Sequence, residues 1–176
     1  GQTGPEVVDS LRPLVTSQFL HGGWLHLAGN MWILWLFGDN IEDRIGHLPF
    51  SFFYIASGVA AGITHFAVDP VSPVPAIGAS GAVAGVMGAY LFLFPRARVV
   101  ALVPLLWIPF FFRIPAFIYI GFWFFSQIMM GISDLFVPGQ AGGVAWWAHV
   151  GGFIFGFLAV WLFRFSREPK AACDEG

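Results

Sequence analysis

Apolar residues gather along this chain in five stretches, each closed by charge, proline or glycine. The first runs from Trp24 to Gly38 and ends in the cluster Asp39, Glu42, Asp43 and Arg44. The second runs from Phe50 to Val68, before Asp69-Pro70, and the third from Ser80 to Phe94, before Pro95-Arg96. The fourth spans Ala116 to Phe136 and the fifth Trp147 to Phe163. Apolar runs of this length predict membrane helices, although several fall short of the ~20 residues of a full crossing. Residues 99–112 are equally apolar but carry Pro104 and Pro109 and lead into Arg113 and Pro115. Prolines at that density argue against a straight spanning helix and predict a re-entrant or interfacial connection. Residues 1–20 read as an outer loop or interfacial segment, 21–165 as one membrane domain and 166–176 as a polar cytoplasmic tail.

Composition fixes the class. The chain is 57% hydrophobic and 10% charged, against about 25% charged in a globular protein. Its mean hydropathy is +0.76. The expected fold is all-α, a polytopic transmembrane helix bundle embedded in a lipid bilayer. A net charge of -2 argues against a nucleic-acid partner, and the lone Cys173 supplies neither a disulfide framework nor a cysteine metal site. The first twenty residues are not an uncharged apolar run, so no signal peptide is expected.

Charge then orients the bundle. Five spans place every basic residue except Arg12 on one side, and the positive-inside rule makes that side, with the C-terminus, cytoplasmic. A bacterial cytoplasmic membrane is the expected location, with an organellar membrane as the alternative. The spans opening at Trp24, Ser80 and Trp147 then all begin at the outer face. His26, Asn30, Ser80 and His149 therefore lie in the first turns of three helices at one face of the membrane. Asn30 falls roughly 9 Å below the start of its helix at a rise of 1.5 Å per residue.

Polar residues at membrane depth point to function. Ser80 stands in Gly78-Ala79-Ser80-Gly81. A serine at a helix start is ordinarily an N-cap. Here Gly78 allows a sharp backbone turn and close approach of a ligand, and the helix N-terminus offers free N–H groups to an anion. His149 opens Ala148-His149-Val150-Gly151-Gly152. Gly152 and Gly156 form one GxxxG, Gly81 and Gly85 another, with Gly88 a turn on. Small residues at this spacing let membrane helices touch backbone to backbone. Packing of those faces would set Ser80 beside His149 as nucleophile and general base. His26 and Asn30, spaced i, i+4, share a helix face. They are either a polar pair holding helices together or side-chain donors for an oxyanion. No carboxylate has a spacing that ties it to His149, so the expected unit is a dyad rather than a triad.

These motifs, in this order, resemble the rhomboid family of intramembrane serine proteases: His21, His26 and Asn30 in HGGWLHLAGN, Ser80 in GASG, and His149, Gly152 and Gly156 in AHVGGFIFG. The resemblance extends from about Pro13 to Phe163. It implies a core of six helices, of which five are visible here. It implies Ser80 as nucleophile, His149 as base, and His26, Asn30, Gly78 and the Ser80 N–H around the oxyanion. His21, Gly81 and Gly152 take supporting places. Glu42 and Arg44 fall where the family often closes the inner end of a helix with a polar network; a headgroup-level boundary cluster explains them equally well. Some relatives stack an aromatic on the base one turn after the serine; here that position is Ala84, so another group must hold the ring.

The implied activity is serine endopeptidase cleavage of transmembrane-segment substrates, without metal or cofactor. A zinc site built from His21, His26 and His149 is the weaker reading, because there is no HExxH and no intramembrane carboxylate to act as base. The main alternative is a catalytically inactive rhomboid-like binder of membrane clients. Such a protein should lack the serine or the histidine. A transporter would favour polar residues at the midplane of several spans, where only Ser126 and Gln127 stand here. The aromatic run Phe122, Trp123, Phe124 and Phe125 reads either as part of a substrate gate or as lipid-facing anchors.

Overall fold

The structure is a computed structural model that describes residues 12–70, 72, 77–105, 108–137 and 143–163. A helical turn at 12–16 runs into the 3-10 turn Ser17–Phe19. There follow α1 (Trp24–Ile45), α2 (His47–Val68), α3 (Ser80–Leu93), β1 (Arg98–Leu105), β2 (Ile108–Pro115), α4 (Ala116–Phe136) and α5 (Trp146–Phe163). The tail 166–176 with Cys173, the basic residues Arg164, Arg167 and Lys170, and residues 1–11 lie outside the described residues.

Each predicted apolar stretch is a helix. α1 runs on to Ile45, through the charged cluster that was expected to close it. Charged side chains at a helix end can reach water along their stems, so they close the apolar run without closing the helix. Gly46 ends it instead, at φ 95°, with its N–H on the Glu42 carbonyl. α2 begins at the next residue, and Pro49 sits in its first turn, where a missing N–H breaks no helical bond. α2 and α4 are long and apolar enough to cross a bilayer; α3 and α5 have shorter apolar lengths. The 14 residues of α3 rise ~21 Å, less than the ~30 Å of hydrocarbon.

α3 is the centre of the bundle, buried at every position from Gly81 to Tyr90. Its packing on α5 is the most extensive in the molecule. A Cβ added to Gly152 would collide with the Gly81 carbonyl, one on Gly156 with the Gly85 backbone, and one on Gly88 with the Phe153 carbonyl. The two helices therefore meet backbone to backbone, as the paired GxxxG faces predict. α2 closes over the same seam, with Ala61 against Gly81 and Ser57 against Gly85. The buried Ser57 hydroxyl donates to the Phe53 carbonyl at 2.8 Å, so its own donor is met within α2. Toward the other end Phe37 of α1 packs edge-on against Tyr90, with ring centroids 4.8 Å apart. The segment before α1 is pinned by buried Gln18, whose Nε2 donates to the Leu14 and Ile55 carbonyls at 2.9 and 3.3 Å.

The connection between α3 and α4 differs from expectation. It is an antiparallel hairpin, with Arg98 opposite Pro115 and Leu105 opposite Ile108, so the bundle is helical but not purely all-α. The prolines that exclude a helix fit this ladder. Pro104 faces Pro109, and Pro115 lies an even number of rungs away. All three thus share the set of rungs whose N–H points out of the ladder, where proline removes no bond.

Candidate active site

The start of α3 is set by a strained turn. Gly78 has φ 102° and donates its N–H to the Ser17 carbonyl at 2.8 Å. A Cβ there would lie 2.7 Å from His26 Cε1 and 3.7 Å from Asn30 Nδ2. Glycine is thus required twice, for the left-handed backbone and for the closeness of the α1 side chains. The turn delivers Ser80 as the first residue of α3, where the leading N–H groups have no intrahelical acceptor.

The glycine seam brings the α5 histidine to this point. His149 Nε2 is 2.9 Å from Ser80 Oγ. Its Nδ1 is 2.8 Å from Gln127 Oε1 on α4. The Gln127 amide nitrogen is committed elsewhere, to the Trp123 carbonyl at 3.2 Å and Ser126 Oγ at 2.9 Å. Its oxygen therefore faces the imidazole, and an amide oxygen only accepts. The ring carries its hydrogen on Nδ1, leaving the Nε2 lone pair for the serine hydroxyl. Gln127 is buried. No motif surrounds it, and the one available signal was a polar Ser126-Gln127 pair inside an otherwise apolar span.

The absent aromatic at Ala84 is made good by two tryptophans. Trp123 lies 5.9 Å from the His149 ring at 33°, and Trp146 6.1 Å away at 88°. The aromatic run on α4 divides: Phe124 stacks on Phe153 at 4.1 Å, Trp123 faces the histidine, and Phe122 and Phe125 are exposed.

Ser80, His149, His26 and Asn30 all line one cleft of about 750 Å³, with Trp123 and Met87 on its walls. Asn30 is buried, and its Nδ2 has no hydrogen-bond partner. An unmet buried donor costs about 1–3 kcal/mol, and this one belongs to a residue that lines the same cleft as Ser80. His21 packs edge-on against His26 at 5.3 Å, which places it behind that ring as support. Gly81 and Gly152 touch directly in the seam beneath the dyad. At the opposite end of the bundle Glu42 pairs with exposed His47 at 2.5 Å, across the α1–α2 turn.

Comparison with known proteins identifies the family. The rhomboid domain family matches residues 9–166, and the chain belongs to that family. It is accordingly an integral membrane protein with a helical bundle. It is 27% identical over 94% of its length to "Rhomboid protein 1, mitochondrial" of Saccharomyces cerevisiae. It is 29% identical over 92% of its length to "Rhomboid-like protein 11, chloroplastic" of Arabidopsis thaliana. Over 46% of the chain it is 40% identical to "Rhomboid protease GluP" of Bacillus subtilis, covering 15% of that protein. The chain spans 45% of the yeast protein and 55% of the Arabidopsis protein.

Proposed function

We propose that this chain is an intramembrane serine endopeptidase acting on transmembrane segments. The carrying observation is the relay Ser80 Oγ, His149 Nε2, His149 Nδ1, Gln127 Oε1, with links of 2.9 and 2.8 Å, open to a cleft that holds an unpartnered Asn30 donor. Family membership and a relative named as a protease support the same reading.

In this reading Ser80 Oγ attacks the scissile carbonyl carbon as its proton passes to His149 Nε2. The oxyanion lies among the Ser80 N–H, Asn30 Nδ2 and His26. Collapse breaks the C–N bond, and the imidazolium gives its proton to the departing amine. A water then loses a proton to Nε2 and attacks the acyl ester. The ester C–O bond breaks, and the proton returns to Ser80 Oγ. Gln127 holds the imidazole in the accepting tautomer and meets the charge on Nδ1–H while the ring is protonated.

Five membrane spans, the short α3 and α5 among them, leave this centre below the outer headgroups yet open to water. The substrate is a transmembrane helix that unwinds locally and enters from the side. Charge distribution gives the orientation and not the organelle: relatives occur in a mitochondrion, a chloroplast and a bacterium, and the chain takes its place in a membrane of one of these kinds. Ser80→Ala is expected to abolish cleavage of a model transmembrane substrate in liposomes while leaving thermal unfolding unchanged; cleavage at the wild-type rate would refute the assignment.

A further inference from the structure

The β1–β2 hairpin has no place in the proposed chemistry. No polar residue interrupts the sequence between Arg98 and Arg113, fourteen positions in all. Of the side chains nearest its root, Val99 is buried, while Val100, Phe111 and Phe112 are 58%, 67% and 50% exposed. A two-stranded hairpin is marginal on its own in water, and an apolar surface of this kind marks a binding face. Its root is tied to the bundle, where Ala116 N–H donates to the Ala97 carbonyl at 2.7 Å and Phe117 N–H to the Pro95 carbonyl at 3.1 Å.

Three observations say what covers it. Arg96, Arg98 and Arg113 ring the root, all exposed, and none has an ion-pair partner among the described residues, although Asp39 and Asp43 lie at the same end of the bundle. No acidic residue occurs between Asp69 and Asp134 to answer them from within the segment. α4, which begins at the residue after β2, exposes Phe117, Ile118 and Phe122 and has the length and composition of a membrane span. Finally, the rung next to the tip of the hairpin, Pro104 opposite Pro109, carries no outward N–H at all. Strand edges carry unpaired N–H groups that lipid cannot satisfy. Pro104, Pro109 and Pro115 remove donors from the outward rungs, two of them near the far end of the hairpin.

We propose that the hairpin lies in the leaflet at the basic end of the bundle, opposite the dyad, with its apolar strands among acyl chains. Arg96, Arg98 and Arg113 sit on the phosphates of anionic lipid headgroups. The hairpin thereby fixes the height of α4, which begins at the residue after β2 and carries Gln127 and Trp123 to His149. The lipid contact does not depend on proteolysis, and its test does not read activity.

Phe111→Cys, and separately Val100→Cys, are introduced into the full-length protein on a Cys173→Ser background and labelled with an environment-sensitive fluorophore. The proteins are reconstituted in vesicles of phosphatidylcholine with phosphatidylglycerol. Blue-shifted emission is expected, quenched by nitroxides on the acyl chains and insensitive to aqueous iodide. Quenching by iodide would overturn the proposal by placing the hairpin in water. Protection from both quenchers would overturn it by showing a protein cover, either a partner or a second copy. Energy transfer from the same probe to labelled phosphatidylglycerol should exceed transfer to labelled phosphatidylcholine. An arginine at an anionic surface favours that surface by about fivefold, so Arg96→Gln/Arg98→Gln/Arg113→Gln should lower the preference by at least about that factor. Equal transfer from both lipids in the parent protein would remove the headgroup assignment.

Discussion

α3 and α4 both pack on α5, and they do so in opposite ways. α3 meets α5 through bare backbone along Gly81, Gly85 and Gly88, and ten successive residues of α3 are buried. α4 buries only Ala116, Ile120, Gln127 and Gly131, a single narrow stripe. Ser80 and His149 are joined by the first interface. Gln127 and Trp123, which contact the His149 ring, arrive on the second. The difference separates two requirements. The Ser80–His149 distance is set by contacts with no slack, because a backbone atom cannot move aside like a side chain. The tautomer and tilt of the imidazole depend on a helix that can shift without unfolding the bundle.

The strongest way to break this contrast is to force the rigid seam apart. Gly156→Leu drives a side chain into the Gly85 backbone. It should cost about 3 kcal/mol of stability, the upper end of the range for overpacking, and abolish activity, as read by denaturant unfolding in detergent alongside cleavage. Retained stability would mean that the α3–α5 contact is looser than described. Next in size, Asn30→Ala removes the unpartnered donor while leaving both interfaces alone. Turnover should fall ~10²–10³-fold, with KM nearly unchanged; a pure rise in KM would make Asn30 a binding residue instead. The smallest effect belongs to the narrow stripe. Gln127→Leu should lower kcat by up to ~10²-fold, the scale for a misplaced catalytic group, with unfolding little altered. Gln127→Glu, which keeps an acceptor on Nδ1, should recover much of it. Equal losses in both variants would assign Gln127 to packing alone.

How much of this was legible in the sequence follows the same division. The glycine spacing, Ser80, His149, His26 and Asn30 are local patterns, and helical periodicity with charge bias brings them to one face. The seam in the structure joins Gly81, Gly85 and Gly88 to α5, as the spacing implies. Gln127 was not legible as an orienting group, because its meaning depends on the rotation of α4 about its axis, which an almost wholly apolar span does not encode. A search for the base's partner among carboxylates also passes over a neutral amide. The hairpin was hidden for a related reason. Apolar residues on both faces erase the alternation that marks a strand, and the prolines that exclude a helix reveal their regular placement only once the rungs are known. The end of α1 was misplaced because charge marks the end of an apolar run, whereas Gly46 marks the end of the helix.

The most direct test of the central claim, that His149 activates Ser80, is labelling with a fluorophosphonate, which modifies only an activated serine. The membrane-reconstituted full-length protein should be labelled, and Ser80→Ala and His149→Ala should not. Labelling of His149→Ala at the parent rate, or no labelling of a folded parent protein, would contradict the account.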